Sequence, residues 1–314
     1  MFKSSSGIKK ATVIPVPNPV DTRKLLEAAE KLKFRDCKAT EEESWGFIKP
    51  DYTDNWPLIP SFQHAHLITL RRDRRVPNKT KLSREWHEAI REKEKAEERK
   101  LTKEERLDLR EKCKLKLFAN TPPKESEYQA IYDSERRLLV VLESASSSVQ
   151  FVVEKFNRLI DPQGVSVAWE ASQQQPILEG TLTSWAYRPE NIPEPLNLTL
   201  GTDYRLSSDD SKAVLANHQP GAEEINIHLM NRKQVEQLQL FWGESVSFAL
   251  SAKKVLSQID FKSYCSDNIK EIRENKEVDD IRVYEEGMFL VYYGAFLELW
   301  DIVTQIPEMP SGGL

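Results

Sequence analysis

The sequence predicts an α+β protein of several lobes, with mixed or antiparallel sheets and a projecting basic helical segment. Two observations point to the class. Stretches rich in β-branched residues alternate irregularly with segments whose apolar residues recur every three or four positions, so the order is not the regular strand–helix alternation of a parallel sheet. No internal repeat is present, which sets aside solenoids and propellers. The projecting segment follows from charge: residues 71–116 hold 18 Lys and Arg against 11 Asp and Glu, a net of +7, while the remaining residues hold 27 against 39, a net of −12. The 314 residues are enough for a sizeable core in about two domains or one elongated chain of lobes. The regions divide as an α+β lobe over 1–76, a basic helical segment with a loop over 77–127, a hairpin and helix over 128–192, and a second α+β lobe over 193–314.

In chain order, Ala11, Thr12, Val13 and Ile14 read as a strand that runs into an extended loop at Pro15, Pro17 and Pro19. Asp21 and Thr22 offer N-caps to a helix with Leu25, Leu26, Ala29 and Leu32 on one face. Trp45, Phe47, Pro50, Tyr52 and Trp56 read as part of a loop that leads into a strand over 66–70. In the basic segment Leu82, Trp86 and Ile90 form a narrow apolar stripe that ends at Leu101. Thr102 to Glu105 then has the form of a capping box, which predicts a second helix from Lys103 with Leu109, Cys113 and Leu117 on its own stripe. Segments 128–132 and 137–142 flank Asp133 to Arg136 as a hairpin, and a helix over 147–160 turns Val149, Val152, Val153, Phe156 and Ile160 inward. Residues 193–200 read as a connector, 225–229, 235–241 and 245–250 as strands, and 288–300 as a helical tract, followed by a frayed tail over 307–313.

Composition excludes several classes. At 39% hydrophobic and 30% charged residues, with no run of about 18 apolar positions, the sequence predicts a soluble chain with no membrane span. Cys37, Cys113 and Cys265 form no close pair, and the first residues lack an apolar signal-peptide core, so the expected residence is cytoplasmic with reduced thiols. There is no Gly-rich phosphate loop, no nucleophile elbow and no His-Glu-x-x-His, and only 11 glycines to build such turns. No catalytic residue, metal or cofactor is therefore expected. His64 and His66, one residue apart and expected on one strand face, lack a Cys or His cluster to complete a metal site, with the nearby Asp51 and Asp54 in a loop, and Pro50-Asp51 followed by Asp73-Arg74-Arg75 only imitates a metal-dependent nuclease, with Arg where Lys is expected.

What remains is electrostatics. Arg71, Arg72, Arg74 and Arg75 flank a strand end, and Lys112, Lys114, Lys116 and Lys124 sit near a helix end and a loop. Such side chains can follow phosphates without reading bases, and the acidic remainder would repel nucleic acid from other faces. Trp86 lies on the apolar stripe, so base stacking is weakly supported. A solvated, salt-bridged helix is the plainer alternative for the same charges.

The order of segments resembles the recombination-associated RdgC proteins of bacteria. Met1-Phe2-Lys3 precedes the first strand. Phe34, Cys37, Gly46, Phe47 and Pro50 match the family's spaced Phe, Cys and Gly-Trp-x-x-Pro pattern, and Val76-Pro77 falls at a Leu-Pro step before the charged helix. Residues 99–105, 182–185 and 200–206, the Glu223-Glu224-Ile225 step, Trp242, Phe289-Leu290 and Gly294 follow in the family's order. The resemblance implies a ring-shaped homodimer closed by two different two-fold interfaces, with duplex DNA in a basic central hole. It further implies a nucleoid-associated protein that binds single- and double-stranded DNA with little sequence preference, restrains recombinase activity, and has no established catalytic centre.

Two departures stand out. Where the family carries an Arg- and Phe-bearing finger at a dimer contact, this chain has Asn120-Thr121-Pro122-Pro123-Lys124-Glu125. Where the family has Lys-Lys-Gln, this chain has Asn217-His218-Gln219, which keeps Gln219 and replaces a fixed charge by a titrating His218. The first change, which leaves only Lys124 as a basic match, implies a dimer contact that is weaker, different or permanently open, and the second predicts weaker or more pH-sensitive DNA binding. They leave open a protein-interaction role on the same fold and, behind it, a metal-dependent DNA-processing nuclease.

Overall fold

The computed structural model describes residues 7–50, 56–161, 167, 177–274 and 281–309. They form an α+β fold with two antiparallel sheets and eight α-helices among the described residues. Contacts divide the chain into two compact units. The first gathers the described residues of 1–26, 49–68 and 129–314, and the second those of 27–48 and 69–128.

In the first unit, β1 (Thr12–Pro15) pairs antiparallel with β6 (Leu138–Val141), which pairs with the end of β5 (Lys124–Asp133). A two-residue strand, β3 (Ser61–Phe62), lies on the start of β4 (Ala65–Arg74). The expected hairpin between β5 and β6 is present, and its turn is made by the fully buried Asp133. One carboxylate oxygen accepts from the amides of Glu135 and Arg136 at 3.0 and 2.7 Å, and the other accepts from the Tyr293 hydroxyl at 2.8 Å. The second sheet runs β11 (Leu256–Asp260), β10 (Val246–Ser251), β9 (Gln234–Trp242), β7 (Leu198–Ser207) and β8 (Lys212–Leu215).

The expected central helix is α4 (Ser146–Ile160), with all five expected residues buried. Helices α5 (Glu179–Tyr187), α6 (Glu223–Met230), α7 (Lys262–Glu274) and α8 (Ile281–Thr304) complete the unit. Leu182 and Trp185 of α5, Leu238 and Leu240 of β9, and Phe289 and Phe296 of α8 share its apolar core. Helix α8 is long and apolar enough to cross a membrane, which the sequence reading did not anticipate, but Phe289, Tyr292, Tyr293, Phe296, Leu299 and Val303 are buried within the fold.

Several expectations are corrected. Residues 225–229 are helix, not strand. Ile225, Ile227 and Leu229 imitate a period of two, yet Ile227 is 49% exposed while Ile225 and Leu229, one turn apart, are buried. Glu223 and Glu224 occupy the first turn, where the helix dipole favours them. Strand β7 begins inside the expected connector, and β8, β11, α5 and α7 carried no assignment from the sequence. His64 lies in the turn before β4 and does not share a strand face with His66. The expected tail is held at its start, where Thr181 Oγ1 donates to the Pro307 carbonyl at 2.5 Å and accepts from the Met309 amide at 3.1 Å; residues 310–313 lie outside the described residues.

The second unit is built on β2 (Glu43–Ile48), which pairs antiparallel with the later half of β4, from Glu43↔Arg74 to Ile48↔Thr69. The sequence reading had placed this stretch in a loop. Gly46 looks like a loop residue, but the backbone of Phe34 crosses over it so closely that a Cβ there would lie 2.3 Å from the Phe34 Cα. Hydrogen bonds from Phe47 N to the Leu32 carbonyl (3.0 Å) and from Phe34 N to the Phe47 carbonyl (2.9 Å) hold that crossing. Helix α1 (Thr22–Lys31) forms where expected and buries Leu25 and Ala29, although Leu26 is 39% exposed and stands off that face.

Two tandem helices follow as the sequence predicts: α2 (Lys79–Ala96), capped by Asn78, and α3 (Lys103–Ala119), with the Thr102–Glu105 capping box in place. Trp86 of α2 donates from Nε1 to the Arg106 carbonyl of α3 at 2.8 Å. The segments α1, β4 and β5 each run from one unit into the other.

A Gly46→Ala substitution forces the Phe34 crossing apart and is expected to destabilise the protein by about 1–3 kcal/mol, as overpacking does elsewhere. The urea midpoint of the variant measures it, and an unchanged midpoint would show that the crossing yields without cost.

Candidate nucleic-acid interface

The four arginines singled out in the sequence all lie on or just after β4, and the structure gives each of them a partner. Arg71 donates from Nε and Nη2 to the two carboxylate oxygens of buried Asp73 at 2.8 and 3.0 Å. It also pairs with Glu125 at 3.0 Å and stacks on the Phe34 ring, 4.5 Å from its centroid. Arg72 pairs with Glu43 at 2.5 Å. Burial disfavours its charge, but the Glu43 carboxylate and Tyr128 together outweigh that, so its pKa lies above the ordinary arginine value. Arg74, with half its side chain exposed, faces Glu42 at 3.6 Å.

Arg75 is a clamp of a different kind. It donates from Nη1 to the Phe118 carbonyl at 3.2 Å and, more closely, to that of Thr121, and from Nη2 to the Cys37 carbonyl at 3.2 Å. It thereby ties the C-terminal end of α3, where the Phe118 carbonyl also accepts from the Thr121 amide at 3.0 Å, to the loop at Cys37, and its charge favours the negative end of that helix dipole. Part of the charge balance comes from an acidic triplet: Glu43 takes Arg72, Glu42 faces Arg74, and Glu41 takes Arg35 in a bidentate pair. The register of β2 on β4 is what brings that acidic triplet alongside the arginines.

Of the four lysines, Lys114 donates to Glu42 at 2.8 Å, which together with Arg74 pulls the Glu42 carboxyl below its usual range. Lys112, Lys116 and Lys124 are exposed and, among the described residues, make no ion pair. Other charges fix the turn between α2 and α3. Glu94 accepts from the Lys100 ammonium, the Leu101 amide and the Arg106 guanidinium at 3.0, 3.1 and 3.0 Å. Arg99 bridges Glu97 and Glu105, and its hydrogen bonds to Glu105, backed by the Thr102 amide, pull that carboxyl down to about 2.

His218 and Gln219 belong to the first unit. The His218 ring faces Glu224 Oε2 at 2.8 Å through Nε2 and the Ala216 carbonyl at 3.0 Å through Nδ1, so both nitrogens are occupied locally; Gln219 is exposed. His64 lies 3.5 Å from Asp133 and 3.1 Å from Glu135, while His66, beside Ser61 at 2.7 Å, has its pKa lowered by burial. Among the described residues no group of three or more His, Cys, Asp or Glu side chains could hold a metal ion; Asp51 and Asp54 lie outside the described residues. A polar cleft of about 750 Å³ on the second sheet sets Arg205 and Lys253 against Glu179 and Glu236, so it offers no concentrated charge of either sign.

Fold and charges thus define an α+β protein with two antiparallel sheets and a second unit whose cations are partly tied down internally and partly open to solvent. The chain belongs to the RdgC family: residues 8–300 match the family described as "Putative exonuclease, RdgC". It is 24% identical over 246 residues to the recombination-associated protein RdgC of Shewanella loihica, covering 78% of this chain and 80% of that protein. With its counterpart of the same name in Pseudoalteromonas translucida it shares 24% over 282 residues, 89% of each. With that of Shewanella frigidimarina it shares 23% over 246 residues, 78% of this chain and 80% of the relative.

Two outcomes test the internal ties. Lys at position 75 keeps the charge but cannot span three carbonyls, so Arg75→Lys is expected to lose about 1–3 kcal/mol in urea unfolding. Arg74→Ala is expected to stay within about 0.5 kcal/mol of the parent. Equal stability of the parent and Arg75→Lys would remove the clamp from the account. The second outcome concerns Glu105, whose carboxyl is held at about 2 against an ordinary value of 4.5. Its pairing stabilises the fold above pH 4.5 and loses that effect as the pH falls toward 2. The difference in thermal midpoint between the parent and Glu105→Gln is therefore expected to be present at pH 6 and to shrink toward pH 2; a difference constant across that window would contradict it.

Proposed function

We propose that this protein binds DNA, double- or single-stranded, without reading its sequence, as a ring-shaped homodimer that encloses the duplex. In this reading it modulates homologous recombination by occupying DNA and restraining a recombinase, without catalysis, cofactor or metal, in the nucleoid. The observation that carries the proposal is the segregation of charge: a +7 segment in a chain that is otherwise −12, with exposed, unpaired lysines in that segment. Family membership and relatives named for recombination support the same direction. A basic projection formed by α2 and α3 would supply long, flexible cations to the phosphate backbone, with Lys112 and Lys116 of α3 as contacts and Lys124 at the start of β5 as a further one. His218 and Gln219 would add a smaller contribution. A closed ring would turn modest attraction into persistent binding, because release then requires an interface to open. Arg71, Arg72 and Arg75 enter this reading as residues that hold the second unit together, and Arg74 and Lys114 as partly neutralised contributors.

The family's description as an exonuclease gives the competing reading an observation of its own. One experiment separates the two. The purified protein, its mass first determined by light scattering, is titrated onto linear and closed-circular duplexes over a salt series, with and without Mg²⁺ or Mn²⁺, and the DNA is recovered and sized. The expected result is a dimer with a steep salt slope, a salt-resistant fraction retained only on circles, and intact DNA. Metal-dependent shortening of linear DNA would favour the exonuclease, and no binding at low salt would point to a protein partner.

A further inference from the structure

We infer that the outward face of α2, carrying Lys81, Arg84, Arg91 and Lys95, is a phosphate-backbone binding surface for duplex DNA. The inference rests on the DNA-binding reading above and deepens it. At 100° per residue these four side chains fall within about one quarter of the helix circumference. They point away from the half-buried stripe of Leu82, Trp86 and Ile90, whose Trp86 reaches α3. All four are exposed, and among the described residues none makes an ion pair or a side-chain hydrogen bond. Helix α2 has no buried residue, so this row is not part of a core.

A helix that is merely solvated would spread its pairs over the whole surface. Here the pairing is confined to the turn and to one flank. Lys93 takes Glu97, Arg99 takes Glu97 and Glu105, and Lys100 and Arg106 take Glu94. The outward row stays unpaired although Glu88 stands within it and Glu85 and Glu92 flank it. From Lys81 to Lys95 the row spans about 21 Å at 1.5 Å per residue, or about six base-pair steps of duplex at 3.4 Å each. A linear row of that length suits the repeated charge of a nucleic-acid backbone better than a single phosphate. No aromatic residue lies on this face, so it provides no base stacking and no preference among sequences.

The test replaces all four cations by glutamine, Lys81→Gln/Arg84→Gln/Arg91→Gln/Lys95→Gln, since glutamine keeps helix propensity close to that of Lys and Arg. Affinity for two unrelated duplexes of about 30 base pairs is measured over about 50–200 mM salt. The expected result is a loss of at least about tenfold for both sequences and a salt slope shallower by about 2–4, near 0.9 per lost phosphate contact. A companion variant, Glu88→Gln, removes the acidic residue from the row and is expected to bind a few-fold more tightly, an outcome that misfolding does not imitate. A parent that binds duplex while the quadruple variant, folded by circular dichroism, keeps the same slope would overturn this inference and leave the DNA reading standing. A parent that fails to bind at low salt would overturn the reading, and the inference with it.

Discussion

The second unit depends on the close crossing of the Phe34 backbone over Gly46. It lets β2 lie flat against β4 in a register that sets Glu43 opposite Arg74 and Trp45 opposite Arg72. That register carries Glu42 and Glu43 to Arg74 and Arg72, while Arg71 has Asp73 on its own strand and Glu125. From the same strand Arg75 reaches the end of α3 and the loop at Cys37, so the sheet also sets where the helical pair begins and ends.

Much of the fold was legible where the information is local. The Thr102–Glu105 capping box, the Asp133 turn, the inward face of α4 and the apolar run of α8 are each written within about a dozen residues and appear where expected. The failures have specific physical origins. The stretch around Gly46 reads as a loop because the backbone crossing of Phe34 that holds it as a strand involves no side-chain pattern. The alternation at Ile225, Ile227 and Leu229 fits a strand until burial shows that only the residues one turn apart are inside.

The candidate site was legible as a charge, not as a surface. Counting residues marks out the basic segment and, within it, Arg71, Arg72, Arg74 and Arg75 at a strand end, but says nothing of their partners. The neutralisation of Arg72 and Arg74 depends on carboxylates some thirty positions earlier, placed by sheet register, and no local pattern displays it. Glu41-Glu42-Glu43 just ahead of an aromatic-rich segment was the available signal. The outward row of α2 was equally present, as the complement of the Leu82, Trp86 and Ile90 stripe; an apolar face read at helical period always defines a polar one opposite.

Lysine footprinting tests most directly whether the open helical cations, rather than the strand arginines, meet nucleic acid. Amine-reactive acetylation of the protein alone and with saturating duplex is compared residue by residue by mass spectrometry. The account expects Lys81 and Lys95 of α2 to lose reactivity on DNA binding, with Lys112 and Lys116 following, while Lys253 in the turn between β10 and β11 stays unchanged. Full reactivity at Lys81 and Lys95 under conditions where DNA is bound, with protection elsewhere, would contradict it.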